Sequence, residues 1–123
     1  DKTEQPFSKW VVVGDSITDS RMLQTIEESG GLAIAFNANE YALPYATMGL
    51  ASTAISDLTE VLQTWQKGLR TDVEKIIKEK ESSRNQGDRE HFHWLSSREN
   101  IDEIIALHKR IRRLVREEAG RLG

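Results

Sequence analysis

The stretch KWVVVGDSITDSRML, Lys9 to Leu23, decides the reading of the fold. Trp10–Val13 is a continuous apolar, β-branched run, which suits a strand covered on both faces within a parallel sheet. Gly14 lets the backbone turn sharply. Asp15 then falls beyond the carboxyl end of the strand, where open parallel sheets bind their ligands. Asp19 lies one helical turn further on, so the two carboxylates face the same space. Met22, Leu23 and Ile26 share one face of the helix that follows, and Gly30-Gly31 closes it as a glycine C-cap.

Working outward, Leu32–Phe36 is a second buried strand. NANEYALP, residues 37–44, reads as a loop and a short helical turn stopped by Pro44. Residues 45–51 supply a third, weaker strand. Strand, helix, strand, crossover, strand is βαβ logic and implies right-handed crossovers on a parallel sheet. After that the periodicity becomes helical. Ile55, Leu58, Val61, Leu62 and Trp65 recur at helical spacing, and so do Val73, Ile76 and Ile77. Residues 82–90 form a polar break that reads as a loop. A long amphipathic helix closes the chain, with Ile101, Ile104, Ile105, His108, Ile111, Leu114 and Val115 on one stripe. Asn100 and Glu103 match a capping box at its start.

The 123 residues fit one domain with a real core. Without cysteine there is neither a disulfide framework nor a thiolate metal site. No apolar run approaches the ~20 residues of a membrane-spanning helix, and the first residues lack the apolar segment of a signal peptide; the expected location is the cytoplasm. The chain does not begin with Met, so a processed or excised piece is expected. Net charge is −3 but unevenly spread: residues 1–65 hold 3 basic against 9 acidic residues, residues 66–123 hold 14 against 11. An acidic chain argues against a dedicated nucleic-acid binder.

Two close carboxylates repel, and each raises the other's pKa unless a cation intervenes. Oxygen ligands without Cys or His favour magnesium over zinc. Ser16 and Thr18 add hydroxyls, and the start of the helix adds N–H groups suited to an anion. Magnesium beside an anion-binding turn points to phosphate chemistry. The same residues also read as helix capping, Ser16 with Asp19 resembling a capping box.

VVVGDSITDSRML followed by GGLAIAFNANEYALPYATMGLAS closely resembles the fourth conserved motif and downstream strand of the haloacid dehalogenase (HAD) superfamily, best its phosphoserine-phosphatase-like branch. The resemblance covers residues 9–65. It implies an α/β fold, a partial HAD-like Rossmannoid parallel sheet of about three strands followed by a helical C-terminal extension. Residues 1–68 would be the C-terminal half of the core, and residues 69–123 the extension packed on it. It implies a Mg2+-dependent phosphohydrolase scaffold in which Asp15 coordinates the metal and Asp19 supports the metal site or its water. Ser16, Thr18 and Asn37 would lie near the phosphate of a phosphorylated small molecule; relatives often carry Asn where Thr18 stands.

The superfamily's nucleophile is the first aspartate of an Asp-x-Asp motif, which attacks phosphorus to form an aspartyl phosphate. The chain has no Asp-x-Asp. Neither Lys9 nor Lys2 has the spacing of the family's lysine. The chain therefore reads either as a phosphohydrolase fragment or subunit whose nucleophile comes from another chain or an upstream segment, or as a catalytically inactive assembly or binding module. The family's nucleophile strand would pair with Val11–Val13, so this strand should present an open apolar edge. A homo-oligomer, a companion chain or the closing helix is expected to cover it. His91 and His93 read as part of the polar loop and His108 as a core or interface histidine, with a metal site as the sharper option for the three. Lys109, Arg110, Arg112, Arg113 and Arg116 read as a solvated basic face, with contact to a phosphate-bearing ligand or RNA as the sharper option. Trp10, Trp65 and Trp94 read as core or interface fillers, with Phe92 and Trp94 as a possible contact patch.

Overall fold

A computed structural model describes residues 6–53, 58–82 and 90–122. These residues form an α/β fold with one four-stranded sheet: β1 (Val11–Gly14), β2 (Leu32–Phe36), β3 (Met48–Ser52) and β4 (Glu90–Trp94). The order is β1-β2-β3-β4, parallel through β3, with β4 antiparallel to β3. Among the described residues four α-helices accompany it: α1 (Ser20–Glu28), α2 (Leu58–Lys67), α3 (Arg70–Ser82) and α4 (Asp102–Leu122). The arrangement is a partial Rossmann-like layer structure, as the βαβ pattern implied.

The pleat sorts the core into two halves. Leu32, Ile34, Met48, Leu50, Phe92 and Trp94 point to one face, where α2 and α3 bring Leu58, Val61, Val73 and Ile77. Ala33 and Ala35 point to the other, packed with Leu23 and Ile26 of α1, Leu43 of the β2–β3 connection and Ile104 of α4. Alanines on that face let α1 lie close to the sheet. Gly31 is needed for the same reason: a Cβ there would sit 2.4 Å from the Phe7 carbonyl oxygen. Gly30 ends α1 with φ +88, the left-handed conformation expected of a glycine cap.

Several expectations are corrected. His91 and His93 are on a strand rather than in a loop. β4 starts at Glu90, buries Phe92 and Trp94 in the core and turns both histidines toward α4. Phe92 and Trp94 are therefore core residues, not a contact patch, and residues 69–123 contribute a strand as well as helices. Pro44 lies inside the 3-10 turn Leu43–Tyr45, near its start, rather than stopping a helix. β1 is only partly covered: Val12 packs against the α1 side of the core and Val11 against the α2–α3 side, but both are half-buried, while Val13 is 43% and Trp10 44% exposed. α4 does not cover that edge; it packs against β3. Ile55 and most of the 82–90 break lie outside the described residues.

Candidate functional site

Asp15 leaves the sheet at the carboxyl tip of β1, and Ile17–Asp19 makes a 3-10 turn that runs straight into α1. Asp19 folds back over this turn. Its Oδ2 accepts hydrogen bonds from the Asp15 N–H at 2.9 Å and the Ser16 N–H at 3.2 Å. The backbone donation from Asp15 is the main reason the Asp19 carboxyl is held below its ordinary pKa of 3.8. Mutual repulsion would raise this pKa, so the expected upward shift is reversed at Asp19: backbone dipoles already stabilise its charge. The packing also accounts for Gly14, because a Cβ there would lie 2.6 Å from the Asp19 Cβ. Ser16 Oγ and Thr18 Oγ1 share a hydrogen bond of 2.9 Å. Asp15, Ser16, Thr18 and Asp19 thus stand together on one short turn, as their spacing implied.

Asn37 is on the same rim, at the end of β2 and in the left-handed region with φ 47. Its side-chain amide is engaged at both ends. Nδ2 donates to the Ser52 carbonyl at 2.8 Å and Oδ1 accepts from the Ser52 N–H at 2.8 Å. Asn37 therefore prolongs the β2–β3 pairing with its side chain, and any contact to a ligand competes with those two bonds.

Two further residues build the rim, a role the sequence reading assigned to neither. The Asn39 N–H donates to the Asp15 carbonyl at 3.0 Å. Its Oδ1 accepts from the Tyr41 and Ala42 N–H groups at 3.0 and 3.2 Å. The loop after β2 is thereby tied to the turn after β1. An Asn opening a short turn is the available signal, an Asx motif, but nothing local says that Asp15 is its partner. The second is His108, fully buried on α4 as its place in the apolar stripe implied. Its Nδ1 accepts from the Ala38 N–H at 2.9 Å. Burial pushes its pKa down to about 3, so the ring is neutral and acts as a fixed acceptor for that loop.

Among the described residues, no group of three or more His, Cys, Asp or Glu side chains is arranged to hold a metal ion. Asp15 and Asp19 are an oxygen-only pair, which fits magnesium, a cation commonly held by one or two carboxylates with water and substrate phosphate completing its shell. Asp19 Oδ2 is already occupied by two N–H donors, so Asp15 is the carboxylate freer to ligate. A cavity of about 560 Å3 lined by Ser8, Lys9, Trp65, Leu69 and Arg70 opens at the opposite, amino end of the sheet, so it does not belong to this rim. No helix among the described residues is long and apolar enough to cross a membrane.

No family model and no curated protein matches the sequence. The fold is similar to the structure of gene product AF1437 from Archaeoglobus fulgidus, with a TM-score of 0.71 and 28% sequence identity. The match covers 89% of this chain and 33% of that one, so this chain spans about a third of the length of the protein it resembles.

Proposed function

We propose that the chain carries the cation-binding part of a HAD-like phosphohydrolase site and takes part in Mg2+-dependent hydrolysis of phosphomonoesters once an aspartate nucleophile is supplied beside it. The observation that carries this reading is the position of Asp15, at the carboxyl tip of an edge strand. β1 pairs with β2 alone among the described strands, and Val13 on it and Trp10 just before it are half-exposed. A strand docking there in parallel would bring its own carboxyl tip next to Asp15. A second copy of this chain or a companion segment is the proposed source. The bound cation would neutralise charge between phosphoryl oxygens and carboxylates. Asp15 would hold it, Asp19 would fix the turn that aims Asp15, and Ser16 and Thr18 would offer hydroxyls toward the phosphate.

Calorimetric titration tests the metal step. Magnesium in the millimolar range should bind the wild-type chain and bind at least tenfold more weakly to Asp15→Asn; no heat of binding at millimolar metal would sink the proposal. The catalytic step is read with an aryl phosphate and Mg2+ on the protein assembled with its companion, where Asp15→Asn should abolish turnover.

The absence of any Asp-x-Asp in the sequence favours a second reading, an inactive HAD-derived assembly or binding module. Metal binding in an assembled protein that shows no turnover supports it over the first.

A further inference from the structure

We propose that the face of α4 formed by Lys109, Arg112, Arg113 and Arg116 is a binding site for a small multivalent anion, a molecule with two or more phosphate or carboxylate groups. The four residues line one cavity of about 200 Å3. Their spacings are three, four and seven residues, so each side chain has like-charged neighbours on the same helical face. Such i,i+3 and i,i+4 pairs of equal charge destabilise a helix. The helix dipole does not offset this, because it acts within the last turn and α4 runs on to Leu122. Lys109 is paired, its Nζ lying 3.0 Å from Glu40 Oε2. Arg112, Arg113 and Arg116 have no hydrogen-bond or ion-pair partner among the described residues. A chain of net charge −3 thus gathers four cations around one small cavity, with Glu40 the one carboxylate ion-paired to them among the described residues, an arrangement that an anion would relieve.

The place of the cluster is also specific. His108 is bonded to Ala38 and Lys109 to Glu40, while Asn39, between those loop residues, is bonded to the Asp15 carbonyl. The basic face therefore begins beside the loop that borders the Asp15 turn, at the carboxyl end of the sheet. Where the proposed phosphohydrolase function holds, the ligand is the non-reacting, anionic end of the substrate; that clause rests on that reading, and the anion site itself does not. The size favours a small molecule over nucleic acid: residues 109–116 rise by only about 10 Å along the helix, too short for the basic stripe that tracks a nucleic-acid backbone.

Pyrophosphate, titrated into the full chain without divalent metal at physiological salt, is the probe. The expected result is saturable binding, weakened at least tenfold in the double variant Arg113→Gln/Arg116→Gln. It should be unchanged in Asp15→Asn, which disables only the metal reading. The double variant Lys67→Gln/Lys75→Gln removes the same charge from exposed positions on α2 and α3 and should bind as wild type. Equal weakening in both double variants would reduce the effect to net charge and overturn the proposal, as would undiminished binding in the arginine variant. Tighter binding of a short single-stranded RNA through the same arginines would overturn it in favour of nucleic acid.

Discussion

Asp19 is both a capping residue and a candidate metal-site residue, and the two roles can be separated by measurement. Replacing it with Ala removes the acceptor for the Asp15 and Ser16 N–H groups and should cost about 1 kcal/mol of stability, as loss of a cap does, with no metal present. Because its folded pKa lies below 3.8, its charge contributes fully above that value and the contribution is lost as pH falls through the folded pKa. Urea unfolding between pH 6 and pH 2.5 should show the gap between wild type and Asp19→Ala narrowing only at the acid end. Gly14→Ala drives a Cβ into Asp19 and should destabilise by about 1–3 kcal/mol, while also weakening Mg2+ binding if the turn aims Asp15. His108 has its own signature. Its pKa is about 3 in the fold against 6.5 ordinarily, so the unfolded chain binds the extra proton and stability falls as pH drops from 6.5 toward 3. Protonation removes the acceptor for Ala38. His108→Asn keeps an acceptor near the Nδ1 position and should flatten this part of the pH–stability curve; an unchanged slope would show that His108 does not titrate in that window. The spacing of Asp15 and Asp19 and the burial of His108 were legible because both follow from helical period. The bond from Asn39 to Asp15 was not, since it joins residues from two separate connections.

Among the elements, β1 and β4 show opposite outcomes. The open edge of β1 was readable because a strand with an absent neighbour is a statement about topology, and among the described strands β1 does stand at the edge of the sheet. The expectation that Trp10–Val13 is covered on both faces was met only in part: Val11 and Val12 pack against opposite layers of the core, while Trp10 and Val13 stay half-exposed because no strand lies beyond β1 among the described residues. If β1 is an association edge, Val13→Lys should reduce self-association, because charge on an edge strand opposes strand pairing. Light scattering at micromolar concentration checks this, and a wild-type chain that is already a clean monomer removes the homo-oligomer option. β4 was missed because EHFHW follows a polar segment and carries two histidines, which local pattern assigns to a loop. Alternation was nonetheless present in it: Phe92 and Trp94 face one core, His91 and His93 the other side. Phe92→Ala should cost about 3–5 kcal/mol in chemical denaturation, the range for a buried aromatic, whereas a loop residue would cost far less. In α4, Ile104, His108 and Ile111 are buried as the stripe implied, and Asn100 Oδ1 accepts from the Asp102 N–H at 3.0 Å at its start.

In the molecule as a whole, the two ends of the sheet are built differently. The carboxyl end carries the carboxylates and the basic face of α4. The amino end is tied by one polar network centred on Glu27 and Arg70. Arg70 Nη2 lies 2.6 Å from Glu27 Oε1, and Nη1 donates to the Gly31 carbonyl at 2.7 Å. Ser96 donates to Glu27 Oε2 at 2.7 Å, and Thr47 donates to Glu27 Oε1 at 2.8 Å while accepting from the Ala33 N–H at 3.0 Å. The network joins α1, α3, the residues leading into β2 and β3, and the segment after β4. Glu27→Ala would leave several half-buried donors without an acceptor and should destabilise by about 1–3 kcal/mol, with the proposed Mg2+ binding at the far end unchanged. Denaturation and calorimetry on the same variant read both effects. The sequence by itself determined the parallel βαβ start, the place of Asp15 and Asp19 beyond a strand end, and the inward stripe of α4, because periods of two and near four are written in neighbouring residues. Only the tertiary structure decided that EHFHW closes the sheet, that Glu27 and Arg70 meet, and that the arginines of α4 stand beside the loop of Asn39, because those pairings join residues tens of positions apart whose partners no local pattern names.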